Sequence, residues 1–367
     1  MSDLRTRRLE PADEPAFNEA FCRFIRTRYH RRPRSLEHMR WIWHGAPGGD
    51  AESWIVEARE ASQWKIVGHH GLCPIRFTCG DEDWLCAKTM RTFLMPEYRD
   101  RFLYLRFEQE RLADAAQRFD ALYSTAPGTA RLRSALGYQN FGPWLWLERG
   151  LQPLHLLPRI ISSLLGKYSP GARRHFCRAL AAMTQPPERT SSRDLVEYTS
   201  SEALASSFFA SFWTEARQTA GMAPRRDPAD LAWTFWQRPG FTCSTLTCSW
   251  PGGACAYFIV DSSNPLAFHL LDFYVFPQRP DLLAEALEAL FFWCATRGAL
   301  SLGFHTTADG LPPELLRVFS CRMKPFALSR FFPKGDMPRR LLAAGTRRTG
   351  ARLSPWNVTE ILAADQI

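Results

Sequence analysis

The chain repeats itself once, and this repeat limits its possible folds more than any other feature. Arg31-Arg32-Pro33-Arg34-Ser35-Leu36-Glu37-His38-Met39-Arg40-Trp41-Ile42-Trp43 is answered by Arg225-Arg226-Asp227-Pro228-Ala229-Asp230-Leu231-Ala232-Trp233-Thr234-Phe235-Trp236. A Pro-Gly pair follows each block, Pro47-Gly48 and Pro239-Gly240. Further along, Thr92-Phe93-Leu94-Met95-Pro96 is matched by Asp272-Phe273-Tyr274-Val275-Phe276-Pro277. A chain of 367 residues has room for two domains, and self-similarity in the same element order predicts that they are two copies of one fold.

The elements follow from periodicity. Leu4 to Leu9 reads as a strand. Pro11 to Arg28 reads as a helix, with Phe17, Phe21, Phe24 and Ile25 at helical spacing. A second helix spans Ser35 to Trp43, with Ser35 as its N-cap. Ser53–Ala58, Lys65–Phe77 and Trp84–Met95 are strand-like, the last two separated by a Gly80-Asp81 turn, which makes an antiparallel meander. Then come a helix from Phe102 to Gln117, a strand from Ala121 to Ser124, a short helix ending at Leu136, and small strands at Tyr138–Phe141 and Trp144–Leu147. Strand, helix and strand within about 35 residues predict a βαβ crossover and a partly parallel sheet. The second copy shows a helix over Asp281–Arg297, a strand over Leu300–His305 and a short helix over Pro312–Phe319. The expected division is 1–150, a basic linker 151–193 with a short amphipathic helix at Leu156–Leu165, a second domain 194–333, and a basic tail 334–367.

A helix pair, a meander and a βαβ finish form the element order of the GNAT acyltransferases, and local motifs agree. Leu94-Met95-Pro96-Glu97-Tyr98-Arg99-Asp100-Arg101-Phe102-Leu103 resembles that family's phosphate-binding segment. Leu136-Gly137-Tyr138 resembles the Leu-Gly-aromatic signature after its last helix, and Gly68 in Ile66-Val67-Gly68 fits its third strand. The likeness covers about 4–148 and, more weakly, 194–332; the Trp-rich block before each meander is similar to tandem members. It implies an α/β fold made of a duplicated GNAT-like domain, each copy a mixed sheet flanked by helices. It also implies acyl-CoA as co-substrate, held by Leu94, Met95, Arg99, Asp100, Arg101, Phe102, Leu103 and Tyr104. Backbone N–H groups at a helix N-terminus would meet the pyrophosphate. The Leu94 N–H or a neighbour would polarise the thioester carbonyl. The acceptor would be an amine or hydroxyl compound, anionic or sugar-like, attacking the thioester directly.

The sequence departs from that pattern in places. Phe102 and Tyr104 stand where the family carries small residues, and Arg133 where it carries its usual general-acid tyrosine. Pro277-Gln278-Arg279-Pro280-Asp281 contains no glycine. The departures define the alternative, a catalytically inactive tandem pair serving as a binding scaffold. Glu97 reads as a solvated loop residue rather than a base. His69 and His70 are adjacent on a strand, so they point to opposite faces and cannot share a metal. His305 ends a strand of the second copy, where such folds place active groups.

Charge narrows the partners. The net charge is +9, concentrated in 22–40 and 151–193 (each +6) and 334–352 (+5), leaving the remainder net negative. A positive first helix pair, linker and tail suit an anionic acceptor or peripheral contact with a membrane surface. No helix-turn-helix, zinc-finger or RNA-binding signature accompanies the charge, so no nucleic acid is expected. Cysteine spacing lacks C-x-x-C pairs, so no metal is expected either. Neither a signal peptide nor an apolar run of about 20 residues is present, which gives a cytoplasmic expectation with reduced thiols.

Overall fold

A computed structural model describes residues 3–29, 35–79, 82–99, 101–124, 135–136, 139–140, 144–151, 194–219, 223–276, 280–307, 319–326 and 330–333. The chain forms two compact units. The first takes Met1–Phe141, Arg238–Gly240 and Ala327–Thr346; the second takes Gly142–Gln237, Phe241–Phe326 and Arg347–Ile367.

The first unit opens with β1 (Leu4–Arg8), α1 (Glu14–Tyr29) and α2 (Leu36–His44). The meander is β2 (Glu52–Glu60), β3 (Gln63–Cys79) and β4 (Glu82–Leu94). Then follow α3 (Arg101–Arg118), β5 (Ala121–Ser124) and β6 (Gln139–Asn140). The second unit holds β7 (Trp144–Gly150), β8 (Val196–Tyr198), α4 (Ser200–Ala205), α5 (Ser207–Thr219), β9 (Ala223–Pro224) and α6 (Pro228–Leu231). It continues with β10 (Cys243–Ser249), β11 (Cys255–Asp261), β12 (Ala267–Phe276), α7 (Pro280–Thr296), β13 (Ser301–Thr307) and β14 (Ser320–Phe326). The last strand, β15 (Arg330–Pro333), belongs to the first unit.

The two sheets follow one plan. The first runs β1-β2-β3-β4-β5-β15-β6, the second β14-β7-β13-β12-β11-β10-β8. Along each of these orders the neighbours are antiparallel except for one parallel step, β4 with β5 and β12 with β13; β9 also pairs with β3. That step is the βαβ crossover through α3 or α7. Next to β5 lies β15, and next to β13 lies β7. Each sheet is therefore completed by a strand from the other half of the sequence.

Packing repeats as well. On α1, Phe17, Phe21 and Phe24 recur at helical spacing and are buried. Phe17 meets Trp43 edge-on at 5.1 Å and His69 at 4.4 Å. On α5, Phe209, Phe212, Trp213 and Ala216 are buried. Phe209 meets Trp236 edge-on, also at 5.1 Å, and Tyr257 at 5.7 Å. The two Trp residues of the repeated block therefore do the same work, closing the helix pair onto the meander. The second sheet buries its other face against α7, with Leu147, Phe258, Phe268 and Leu302 meeting Leu287 and Leu290 in one cluster.

The expected helices and strands within the described residues form within a few residues of their predicted bounds. Ser35 caps α2, its Oγ accepting from the His38 N–H at 3.2 Å. The Gly80-Asp81 turn, Arg133, Gly137-Tyr138, the 152–193 part of the linker with its Leu156–Leu165 helix, the 312–318 part of the helix expected over Pro312–Phe319 and the tail from 334 lie outside the described residues. No described helix is long and apolar enough to cross a membrane. Among the described residues no three metal-binding side chains cluster.

Candidate functional site

In the first unit β4 and β5 pair only over Cys86–Lys88 and Ala121–Tyr123. β4 runs on beyond that pairing, from Thr89 to Leu94. There β4 also bulges. The register with β3 jumps between His69 and Gly71, so His70 faces two residues of β4. Arg91 takes up the extra length with φ 48°. The bulge is braced from below: the Arg91 carbonyl accepts a hydrogen bond from His69 Nδ1 at 3.0 Å. A carbonyl only accepts, so His69 carries its proton on Nδ1.

At the end of β4 the Met95 N–H donates to the Val67 carbonyl at 2.8 Å. Leu94 lies opposite Gly68 in a pair that exchanges no ladder bonds. Its N–H and carbonyl therefore point away from β3. Arg99 Nε donates to that carbonyl at 3.0 Å. Tyr98 Oη donates to Glu60 at 2.5 Å, and Lys65 pairs with the same carboxylate at 2.6 Å. Lys65 first and Tyr98 second hold Glu60 below the usual carboxylate range.

Leu94, Met95 and Arg99 are thus gathered at the turn into α3, where the sequence places the donor segment. Leu94 and Met95 are buried and Arg99 is exposed. Arg101, Phe102, Leu103 and Tyr104 form the first turn of α3, while Asp100 lies outside the described residues. His69 and His70 do face opposite sides: His69 packs on Phe17 and Phe93, His70 on Trp54 and Phe107. Glu97 is exposed.

In the second unit the two parallel strands open into a wedge. β12 and β13 pair over Ala267–His269 and Ser301–Gly303, and part beyond His269. β12 bulges against β11 between Ile259 and Val260. Behind the bulge lies a closed ionic cluster. Asp272 accepts from Arg226 Nε and Nη2, both at 3.0 Å, and from Tyr257 Oη at 2.5 Å. All three residues are fully buried. Burial pushes Arg226 down, but the Asp272 charge outweighs it and the guanidinium ends above its usual value. Burial, then Asp272, pushes the Tyr257 hydroxyl well up. This cluster is structural.

Beside it, on the same face, three rings meet at the apex of the wedge. Trp146 of β7 lies 4.6 Å from His305 and 5.0 Å from His269, and the imidazoles are 5.5 Å apart. Trp146 Nε1 donates to Glu148 at 3.2 Å. Gly303 makes room for the indole, because a Cβ there would sit 2.2 Å from Trp146 Cζ2. Gly303→Ala is expected to cost about 1–3 kcal/mol by forcing the ring aside, seen as a lower thermal midpoint. An unchanged midpoint would mean that the indole is not held there. His305 was legible from its place at a strand end. Trp146 and His269 were not, since the three residues lie on separate strands and only the pairing register puts them on one face.

No family model and no curated protein sequence matches the chain. Solved structures do match. A conserved Enterococcus faecalis protein of unknown function, described as a probable N-acyltransferase, aligns over 91% of this chain and 73% of its own at 12% identity, TM-score 0.60. Saccharomyces cerevisiae N-myristoyltransferase with bound myristoyl-CoA aligns over 90% and 83% at 12% identity, TM-score 0.56. A tandem GNAT protein from the clavulanic acid biosynthesis pathway aligns over 91% and 99% at 14% identity, TM-score 0.53. At such identities the likeness is one of fold: the chain is built as a duplicated GNAT-like α/β structure.

Proposed function

We propose that the protein is an acyltransferase that moves an acyl group from an acyl-CoA to an amine or hydroxyl acceptor, anionic or sugar-like. The observation that carries this reading is the end of β4. It runs on past its pairing with β5, bulges at Arg91, and turns the Leu94 N–H away from β3. Outward-facing backbone groups on a strand are ready partners for an amide-bearing ligand. In this reading the pantetheine arm pairs along Thr89–Leu94. The Leu94 N–H stabilises negative charge developing on the thioester oxygen. Met95 and Arg99 border the donor, and Asp100, Arg101, Phe102, Leu103 and Tyr104 carry it onto the N-terminus of α3, whose free N–H groups suit an anion. The yeast structure holding myristoyl-CoA supports including a long acyl donor in the test. No metal enters this chemistry, and a cytoplasmic setting with acyl-CoA at hand fits it.

Isothermal titration of the full chain with acetyl-CoA and with myristoyl-CoA tests the proposal. Saturable sub-millimolar binding of either is the expected result. Absence of heat at millimolar acetyl-CoA and at saturating myristoyl-CoA overturns the reading and leaves the scaffold alternative. The basic first helix pair gives a further check. Replacing Arg28, Arg31 and Arg32 together by Gln is expected to weaken use of anionic acceptors while sparing donor binding.

A further inference from the structure

We propose that the outer edge of the second sheet holds a binding site for a neutral sugar, in a cleft between β8, the start of α4 and the first residues of β10. The inference goes beyond the acyl-transfer reading and does not rest on it. The cleft adjoins the edge strand β8, not the parallel pair β12 and β13.

The opening follows from a difference between the two copies. In the first sheet the edge strand β1 covers β2 almost to its start. Arg8 lies opposite Trp54, and past it the Leu9 N–H donates to the Ser53 carbonyl at 2.9 Å. In the second sheet β8 covers β10 only over Thr245–Thr247. The chain leaves the edge after Tyr198, because Thr199 already caps α4, its Oγ1 accepting from the Glu202 N–H at 3.4 Å. Cys243 and Ser244, the first residues of β10, lie beyond the cover of β8. Successive residues of a strand turn their backbone groups to opposite edges, so one of these two presents its N–H and carbonyl to the cleft. The cleft has a volume of about 770 Å³, within the range of small-molecule sites.

The lining selects the ligand. Tyr198 and Trp236 supply aromatic surface. The indole is fixed, its Nε1 donating to Thr245 Oγ1 at 2.9 Å and its ring meeting Phe209 at 5.1 Å. Ser200, Gln237, Thr242 and Ser244 add hydroxyl and amide groups that both donate and accept. No Lys or Arg is among the described residues that line the cleft, so an anionic ligand meets no counter-charge from its walls. The two carboxylates of the lining are already engaged. Glu197 pairs with Arg297, and Glu202 accepts from the Thr199 N–H at 2.7 Å and from its Oγ1 at 2.8 Å. A cationic ligand would have to compete with those partners. Rings beside uncharged donors and acceptors match a pyranose, which offers an apolar C–H face and a rim of hydroxyls.

The test is titration of the full chain, followed by saturation-transfer NMR. Cellobiose, maltose and diacetylchitobiose are the neutral probes; glucosamine and glucuronate are the charged ones. Saturable binding of at least one neutral disaccharide at millimolar concentration is expected, with saturation passing to the sugar C–H protons. Gln237→Ala and Tyr198→Ala are each expected to weaken that binding about 5-fold or more. An unchanged thermal midpoint shows that a variant folds. Gln237 is exposed, so Gln237→Ala decides the matter should Tyr198→Ala fail to fold. No binding of any neutral disaccharide, tighter binding of glucosamine or glucuronate, or an affinity unchanged in either folded variant overturns the inference. No thioester enters the readout, so each of these results leaves the acyl-transfer reading where it stands.

Discussion

Asp272→Ala is expected to destabilise the second unit by about 3–5 kcal/mol, a large part of a typical domain's total of about 5–15 kcal/mol. The carboxylate is the counter-charge of Arg226, and both are fully buried. Removing it strands a guanidinium in an apolar layer formed by Trp213 and Tyr274, which lie 5.9 and 5.7 Å from it. The same change removes the acceptor of the Tyr257 hydroxyl. A buried cation that loses its partner cannot be rehydrated without opening the core, so the full desolvation cost appears. Urea unfolding of the variant should show an early transition for the second unit, while the first unit keeps its own.

The pair itself is not expected to be worth that much. Desolvating two charges offsets most of their attraction, so replacing both together by Arg226→Met and Asp272→Leu should restore much of the loss. Tyr257→Phe, added to that double variant, should cost little, because the hydroxyl no longer has a charge to serve. If Asp272→Ala proves as mild as the double variant, Arg226 has found water or another partner, and the closed cluster described above is wrong.

Much of this architecture was legible beforehand, and the exceptions share a physical cause. The helix pair, meander and crossover are written in local periodicity: Phe17, Phe21 and Phe24 on one stripe, the Ala121–Ser124 run bounded on both sides. Gly68 was legible too, and its reason is steric, since a Cβ there would meet Leu94 Cδ1 at 2.7 Å and Val56 Cβ at 3.2 Å. The exchange of β7 and β15 was not. Both are ordinary strands, and nothing in Trp144–Gly150 tells which of two alike sheets it joins. The bulge at Arg91 was hidden because arginine is an unremarked strand residue, and only pairing reveals the extra length. Asp272 did leave a trace. An acid inside Leu270-Leu271-Asp272-Phe273-Tyr274 demands a buried partner, but the sequence does not say that the partner is Arg226, 46 residues away. The apex rings Trp146, His269 and His305 come from three strands, so only the register brings them together.

Acidification from pH 6.5 to 5 is expected to cost the first unit about 2 kcal/mol through His69 alone. Burial drives this imidazole down to about 3; its hydrogen bond to the Arg91 carbonyl pulls the other way, and the charges of His70 and Arg91 push it lower still. In the unfolded chain the ring returns to about 6.5. Between those values the unfolded state binds a proton that the folded state refuses, so stability rises with pH. The contribution is complete above about 6.5 and is lost at about 1.4 kcal/mol per unit as pH falls toward 3. The depressed carboxylates act elsewhere. Asp13 is held down chiefly by its bond to Arg7. Glu14 is raised by burial but brought below its usual value by Arg40 and His44. Both lose their contribution only as pH falls through and below the ordinary carboxylate range near 4, so the window from 6.5 to 5 isolates histidine. His69→Gln keeps a donor for the Arg91 carbonyl but does not titrate. Urea unfolding of wild type and variant at both pH values gives the difference in which the other histidines cancel. A wild-type slope that persists in His69→Gln would show that the ring under the bulge is not the group refusing the proton, and the fixed Nδ1–H brace beneath Arg91 would have to be abandoned.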